Sequence, residues 1–368
     1  MSIYHFFKRL FLSFIIKTKA SLLRFNLIAH YRNKIRGINK VNEVPYLDKN
    51  QKKEIEQYYK KQGYRVKLYW HQFFIASNKH FSVKYIPDDI FHAFVAARLN
   101  ESKQWPSLLD KNLSEVLFKG YKQPQSVVKN INGFYYTDGE LVSKKTAMEI
   151  CVETSEKLVI KPSIESGGGR QVIDFNISGS VTTYKDLSMD KLLRLFNKDF
   201  IIQRVVSQNK QLKLLNASSL NTLRIMSYLK DNQVYILSTI LRIGKSGKFT
   251  DNNSSGGMVC GIDDKGCLKE YGYYGTGKRV NKTESGFVLK GFGIPSHNKV
   301  LSIVKELHKK VPYFKIISWD IAVDEDSDPV LIEYNTYKQD IRIHQLANGP
   351  VFETVLSEFL EIGRGMDF

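Results

Sequence analysis

A chain of 368 residues is long enough for two or three packed units at roughly 100–200 residues each, and its 42% hydrophobic and 25% charged residues exclude a disordered or fibrous class. The three cysteines, Cys151, Cys260 and Cys267, make no disulfide framework, and no Cys/His spacing resembles a zinc site, so a reducing cytoplasm is the simpler setting. A formal net charge of +18 points to an anionic partner: nucleic acid, acidic lipid head groups or an acidic glycan.

The first 36 residues carry Lys8, Arg9, Lys17, Lys19, Arg24, Arg32, Lys34 and Arg36 with no Asp or Glu between them. Apolar residues such as Phe11, Leu22 and Phe25 are interleaved with these. The longest uncharged run, 10–16, is far shorter than the roughly 20 residues that span a bilayer. No small-x-small site follows that would mark a signal peptide. A basic amphipathic helix lying on a membrane is expected, and a helix packed on the protein's own body is the alternative.

A charged helix over 47–63 and an aromatic stretch over 64–76 come next. Pro87 and the acids after it predict a turn into a helix over 90–99, and further helices are expected at 108–118 and 144–156. From residue 157 the pattern changes to short strands, at 157–161, 171–175, 200–206, 222–230, 233–243 and 256–263. Helices at 189–196 and 299–310 interrupt them, a strand pair is expected at 316–323 and 330–334, and a helix at 351–359 follows. Helices mixed with antiparallel hairpins predict an α+β class. The expected divisions are 1–63 as a basic helical extension, 64–206 with a glycine-rich loop, and 207–368 with a metal site.

Residues 159–170 read as a strand ending in Lys161, then a loop with Ser166, Gly167, Gly168 and Gly169. Glycines without a Cβ let backbone N–H groups approach phosphate oxygens closely, and Lys161 supplies a point charge for them. The spacing is not that of a Walker loop, and three glycines taken alone read by default as a plain mobile loop. The strand pair adds a second signal. Residues two apart share a face, so Glu333 and Asn335 point together, with Ile332 and Tyr334 expected in the core. With Asp320 on the neighbouring strand, two carboxylates and an amide oxygen converge. Oxygen-only donors suit Mg²⁺ held together with nucleotide phosphates, whereas solvated acids on an ordinary hairpin are the plain alternative. Arg224 enters an apolar strand, where it either clamps a transferring phosphoryl group or pairs with a core acid. The polar loop 251–257 approaches substrate or phosphate.

Taken in order, these residues resemble the ATP-grasp superfamily and, more closely, the sugar-transfer-associated ATP-grasp proteins of bacterial polysaccharide gene clusters. The resemblance runs from about residue 65 to 350. It is carried by Trp70-His71, Tyr85-Ile86-Pro87-Asp88-Asp89, Leu109-Asp110-Lys111, Ile131-Asn132-Gly133-Phe134-Tyr135, Ile160-Lys161-Pro162-Ser163 with Gly167-Gly168-Gly169, Asn221-Thr222-Leu223-Arg224, Ser255-Gly256-Gly257, and Trp319-Asp320 with Glu333-Tyr334-Asn335.

The resemblance implies two α+β subdomains clasping ATP. Lys161, Lys111 and the loop Ser166, Gly167, Gly168 and Gly169 would meet the phosphates. The strand holding Gln203, Arg204, Val205 and Val206 would hold adenine, although many relatives carry Glu near Gln203. Asp320, Glu333 and Asn335 would hold Mg²⁺, and Arg224 would stabilise the transition state. Asn221, Asn253, Gly256, Gly257 and Arg342 are expected to face substrate; Arg342, with His344 and Gln345 just beyond Asn335, reads equally as a hydrogen-bonded loop residue. The implied chemistry joins a carboxylate to an amine or similar nucleophile through an acyl phosphate. The expected substrates are an acidic sugar or lipid-linked glycan and an amino acid, at the inner membrane surface, with no nucleic acid partner. Phosphoryl transfer to a hydroxyl is the rival use of such a site. A basic non-catalytic module explains the charge but leaves Asp320 and Glu333 without a purpose.

Overall fold

The computed structural model of the chain describes residues 3–100, 105–164, 169, 171–179, 181–252 and 255–364. It forms two units, one of Met1–Glu101 with Asp340–Phe368 and one of Ser102–Gln339. The divisions expected at 63 and 206 do not coincide with these. Boundaries drawn along the sequence cannot see that the last segment packs with the first.

The first unit is helical. The helix Ile3–Val41 has two different halves. In its second half Tyr31 and Ile35 are buried, Tyr31 stacks on His92 at 4.4 Å, and the Arg32 guanidinium donates to Asp89 at 2.6 Å. Nearer the N-terminus Phe11, Leu22, Leu23 and Phe25 are exposed. Among the described residues no helix is long and apolar enough to cross a membrane. The helix Lys49–Lys61 starts at Asp48, which closes a reciprocal capping box with Gln51. Trp70 and His71, on the helix Tyr69–Asn78, are buried with Tyr85, and Phe74 stacks on Tyr85 at 4.6 Å. The helix Ile341–Asn348, unforeseen in the sequence, is buried along almost its whole length despite its polar residues. Gln345 explains part of that, because its side-chain amide bonds both the N–H and the carbonyl of Ile86, each at 2.9 Å. That amide is committed to backbone, the hydrogen-bonded one of the two places open to it from the sequence.

The second unit contains two large antiparallel sheets and a two-stranded ribbon, Ile177–Ser178 with Val181–Thr182. The six-stranded sheet runs, in spatial order, Glu140–Val142, Phe134–Thr137, Ser126–Ile131, Phe200–Arg204, Leu158–Pro162 and Ile173–Phe175. Helices Lys144–Glu153 and Met189–Phe196 contribute Ala147, Cys151, Leu192 and Leu193 to its core. Ser143 and Ser188 cap their first turns. The helix expected over 108–118 is instead broken into short turns, including Ser114–Leu117.

The seven-stranded sheet runs Arg279–Val280, Leu268–Tyr274, Met258–Ile262, Gln233–Ile243, Leu223–Lys230, Ile316–Val323 and Pro329–Asn335. Its core is continuous with Val300, Val304 and Leu307 of the helix His297–Lys310. Burying aliphatic and aromatic surface of this kind is worth roughly 1.5–3 kcal/mol per large side chain, which is what fixes the strands' register.

Candidate active site

The strand Ile316–Val323 lies between Leu223–Lys230 and Pro329–Asn335, so Asp320 has Arg224 as its cross-strand neighbour on one side and Glu333 on the other. The hydrophobic run on both strands holds that register. A one-residue slip would send every one of these side chains to the opposite face. Beyond Glu333 the register shifts: Asp320 pairs with Glu333 but Ile321 with Leu331. Ile332 is therefore the extra residue of a bulge, and it lines the cleft beside Glu333. The core position expected for Ile332 is corrected on this ground, while Tyr334 is buried as expected.

Arg224 donates to both Asp320 oxygens, Nε at 2.7 Å and Nη2 at 2.6 Å. A second guanidinium, Arg242 on the strand Gln233–Ile243, donates to the same carboxylate at 3.0 Å. Arg242 lies two residues beyond Ile240, the partner of Arg224, and therefore on the same face. Its other nitrogen donates to Asp251 and to Asn252. Asp251 in turn accepts from the Thr222 backbone N–H at 3.2 Å and from the Thr222 hydroxyl. Burial works against charge on Asp320, but Arg224 and Arg242 outweigh it and hold its carboxyl far below the usual range. Burial pushes the Asp251 carboxyl up, against the pull of Arg242.

Arg242 is the residue that sequence reasoning missed. The available signal was the one that singled out Arg224, an arginine inside an apolar strand run.

Across the cleft, Lys161 is the penultimate residue of the strand Leu158–Pro162 and is only 8% exposed. Burial first, then the charge of Lys111, lowers its ammonium to about 8, with Glu333 pulling the other way. Lys111 is anchored through its backbone N–H to the Ser163 carbonyl at 2.9 Å, and its ammonium meets Glu333 at 3.4 Å. Lys161, on an inner strand of the six-stranded sheet, and Glu333, on the last strand of the other sheet, line the same cleft, with Lys111 beside Glu333. The cleft they share also has Gln203, Val205, Val206 and Phe249 in its walls, and its space, counted out to open solvent, is ≈ 820 Å³.

The other expected site residues divide. Gln203 lines the cleft, but its amide nitrogen donates to the Pro124 carbonyl at 3.2 Å. The Arg204 guanidinium pairs with Glu156, leaving backbone and stem to the cleft. Gly169 adopts φ +70°, and a Cβ there would lie 2.1 Å from the Asn252 amide, so the end of the glycine loop lies against the loop carrying Asn252. Ser166, Gly167, Gly168 and Asn253 lie outside the described residues.

Asn221 corrects an expectation. It is fully buried, and its amide donates to the carbonyls of Leu212 and Asn216 at 3.0 and 2.9 Å, so it braces a turn and does not face substrate. Gly256 and Gly257 are not cleft walls either. A Cβ on Gly257 would come within 2.7 Å of the Asp251 carbonyl, so that glycine permits the tight loop that presents Asp251 and Asn252. Arg342 belongs to the other unit, where it meets Asp340 at 3.5 Å.

The donor set fits a hard divalent cation. Glu333 has only the 3.4 Å contact to Lys111 among its ion pairs in the described residues, so its carboxylate keeps oxygen lone pairs for a cation. Asp320 gives three of its roughly four lone-pair directions to arginines and retains little for a metal. No group of three or more His, Cys, Asp and Glu among the described residues is arranged to hold a metal. The amide of Asn335 and a ligand's own oxygens would therefore have to complete the shell. That is how Mg²⁺ is commonly held, through one or two carboxylates plus phosphates.

Residues 92–360 match the family described as sugar-transfer associated ATP-grasp. No curated protein matches the chain. Among solved structures, the chain is similar to the ATP-grasp ligase PsnB complexed with a phosphomimetic variant of its minimal precursor, Mg and ADP. Identity is 13%, with a TM-score of 0.39 over 72% of this chain and 61% of that one. It is also similar to the VanG D-Ala:D-Ser ligase of Enterococcus faecalis, at 14% identity and a TM-score of 0.41 over 70% of this chain and 61% of that one. A biotin carboxylase from Campylobacter jejuni gives 12% identity and a TM-score of 0.41 over 71% and 47%. The chain thus spans less than two thirds of the length of each.

Proposed function

Since the chain belongs to the sugar-transfer associated ATP-grasp family, we propose that its cleft binds Mg-ATP and ligates a carboxylate to an amine or similar nucleophile. The observation that carries this is one cleft lined by Lys161, Arg242, Asp320 and Glu333, with Lys111 paired to Glu333 and Arg224 to Asp320 at its margin. Such a set receives a polyanion and leaves oxygen donors for its counter-cation.

In the first step a carboxylate oxygen attacks the γ-phosphorus and the bond to the β–γ bridging oxygen breaks, giving an acyl phosphate and ADP. An amine then attacks the acyl carbon, phosphate leaves with the C–O bond electrons, and the amine loses a proton. Lys161 and Lys111 orient the triphosphate and screen its charge, and the Arg224 and Arg242 guanidiniums stabilise charge on the transferring group. Mg²⁺, held by Glu333 and Asn335 with a remaining lone pair of Asp320, would supply further neutralisation of the phosphate oxygens. Val205 and Val206 offer backbone groups to adenine.

The acceptor we propose is an acidic sugar on a lipid-linked glycan, with an amino acid as the amine, in polysaccharide biosynthesis at the inner, cytoplasmic face of a membrane. The family's description and the +18 charge support that choice. The test is ADP release from Mg-ATP in the presence of uronic-acid glycans and amino acids, with product mass as readout. An amide product supports the ligase reading, a phosphoester replaces it with phosphotransfer, and silence across a broad panel removes the glycan assignment.

A further inference from the structure

The membrane setting just proposed has a physical agent in the first helix, and its details reach further than net charge. In the helix Ile3–Val41 the half beyond Arg24 is held on its own unit by Tyr31, Ile35, the Arg32–Asp89 pair and the Arg24 guanidinium over the Phe94 ring at 5.1 Å. Up to and just past Arg24 the helix presents apolar surface outward: Phe11 is 65% exposed, Leu22 59%, Leu23 57% and Phe25 67%. At 100° per residue, positions 11, 18, 22 and 25 fall within one narrow stripe. Thr18 at the stripe's middle is also exposed. The sequence up to Val41 contains basic residues and no acid, the first being Glu43.

We infer that this stripe, with the flanking basic residues, is a docking surface for an anionic lipid bilayer. The helix would lie in the interface plane while its second half carries the body. Two features select a lipid surface over other occupants. A second copy of the same helix would bring basic residues against basic residues with no carboxylate to pair them, and the pairing of coiled coils depends on such complementary charges. A nucleic acid would use the charge but would leave Phe11, Leu22 and Phe25 in water. Anionic head groups and acyl chains satisfy both at once.

The inference deepens the membrane part of the proposed function and is independent of the nucleotide chemistry, so the two are measured separately. The full chain is co-sedimented with phosphatidylcholine vesicles and with vesicles of phosphatidylcholine plus phosphatidylglycerol. It is also titrated with a single-stranded oligonucleotide and examined for self-association by light scattering. A triple variant, F11E with L22E and F25E, is expected to fold as the parent does because all three positions are exposed, which circular dichroism checks. Mg-ATP binding by that variant stays at the parental level.

The expected result is partition of the parent onto anionic vesicles only, weakened by salt, and reduced by about tenfold or more in the variant. Equal partition onto neutral vesicles, or an unchanged variant, overturns the inference. So does a dimer that forms without lipid and is lost in the variant, or binding to the oligonucleotide with none to vesicles.

Discussion

At Lys161 stability and function pull in opposite directions. The ammonium is buried, and both its desolvation and the nearby Lys111 charge disfavour it, lowering it to about 8 from the ordinary lysine value. A cationic group depressed in this way costs folding free energy at neutral pH, because the unfolded chain holds the proton more tightly. Lys161→Met keeps the apolar stem and removes that cost. It is expected to raise stability by about 1–3 kcal/mol in urea unfolding while abolishing detectable Mg-ATP binding. A destabilised variant would mean that the lysine serves the fold and not a ligand. The same residue shows what the sequence made legible: Lys161 was singled out as the charged end of an apolar strand, Glu333 by its alternation with Asn335, and Asp320 by its place on the neighbouring strand of a pair. Arg242 carried the same signal as Arg224, an arginine inside an apolar strand run, but only the sheet shows that it shares Asp320 with Arg224 and also reaches Asp251.

Among the elements, two strands, a helix and the segment that follows it are tied by one polar relay. Trp319 Nε1–H donates to Ser227 Oγ at 2.8 Å, and Ser227 Oγ lies 2.7 Å from His308 Nδ1. His308 Nε2 faces the Phe314 carbonyl at 2.8 Å. A carbonyl only accepts, so the proton sits on Nε2 and Nδ1 accepts from the serine. Burial lowers His308 to about 4, so the folded state disfavours the charged ring. Its contribution to stability is present above about 6.5 and is lost as pH falls from 6.5 toward 4, by up to about 3 kcal/mol. Hydrogen exchange in the strand Leu223–Lys230 at pH 7 and pH 5 reads this directly. His308→Gln should flatten the difference, and an unchanged pH slope would sink the assignment.

The first helix supplies a second prediction at the element scale. Removing residues 1–36 takes away Arg32, Tyr31 and Ile35, leaving Asp89 buried without its ion-pair partner. A loss on the order of 2–4 kcal/mol follows in the first unit. Removing only residues 1–20 spares those contacts and should leave the thermal midpoint within a degree or so. A truncation at 36 with parental stability would show that the helix contributes nothing to that core. Helices with an apolar stripe and strands with apolar runs were readable in this way. The bulge at Ile332 and the buried polar helix Ile341–Asn348 were not. An extra strand residue leaves no periodic signature, and Gln345 is recognisable as interior only once Ile86 offers it a backbone N–H and carbonyl.

For the whole molecule, the discontinuous first unit was beyond the sequence, because nothing local in residues 340–368 says that they pack with 1–101. The second unit, in contrast, holds both large sheets and every wall of the cleft, so nucleotide binding should stabilise that unit selectively. A ligand bound to the folded state alone adds RT ln(1 + [L]/Kd), about 2.7 kcal/mol at a hundredfold excess over Kd. A unit of this size shifts by roughly 2–4 °C per kcal/mol, so saturating Mg-ATP should raise its melting transition by about 5–10 °C. Hydrogen exchange should slow in Phe200–Arg204 and Ile316–Val323 and stay unchanged in Tyr69–Asn78. ATP without magnesium should give a smaller rise, because four phosphate charges would face Glu333 and Asp320 without the cation that joins them. If magnesium makes no difference, the oxygen donors at Glu333 and Asn335 serve the fold alone, and the cationic side chains must be reassigned to an anion that needs no metal.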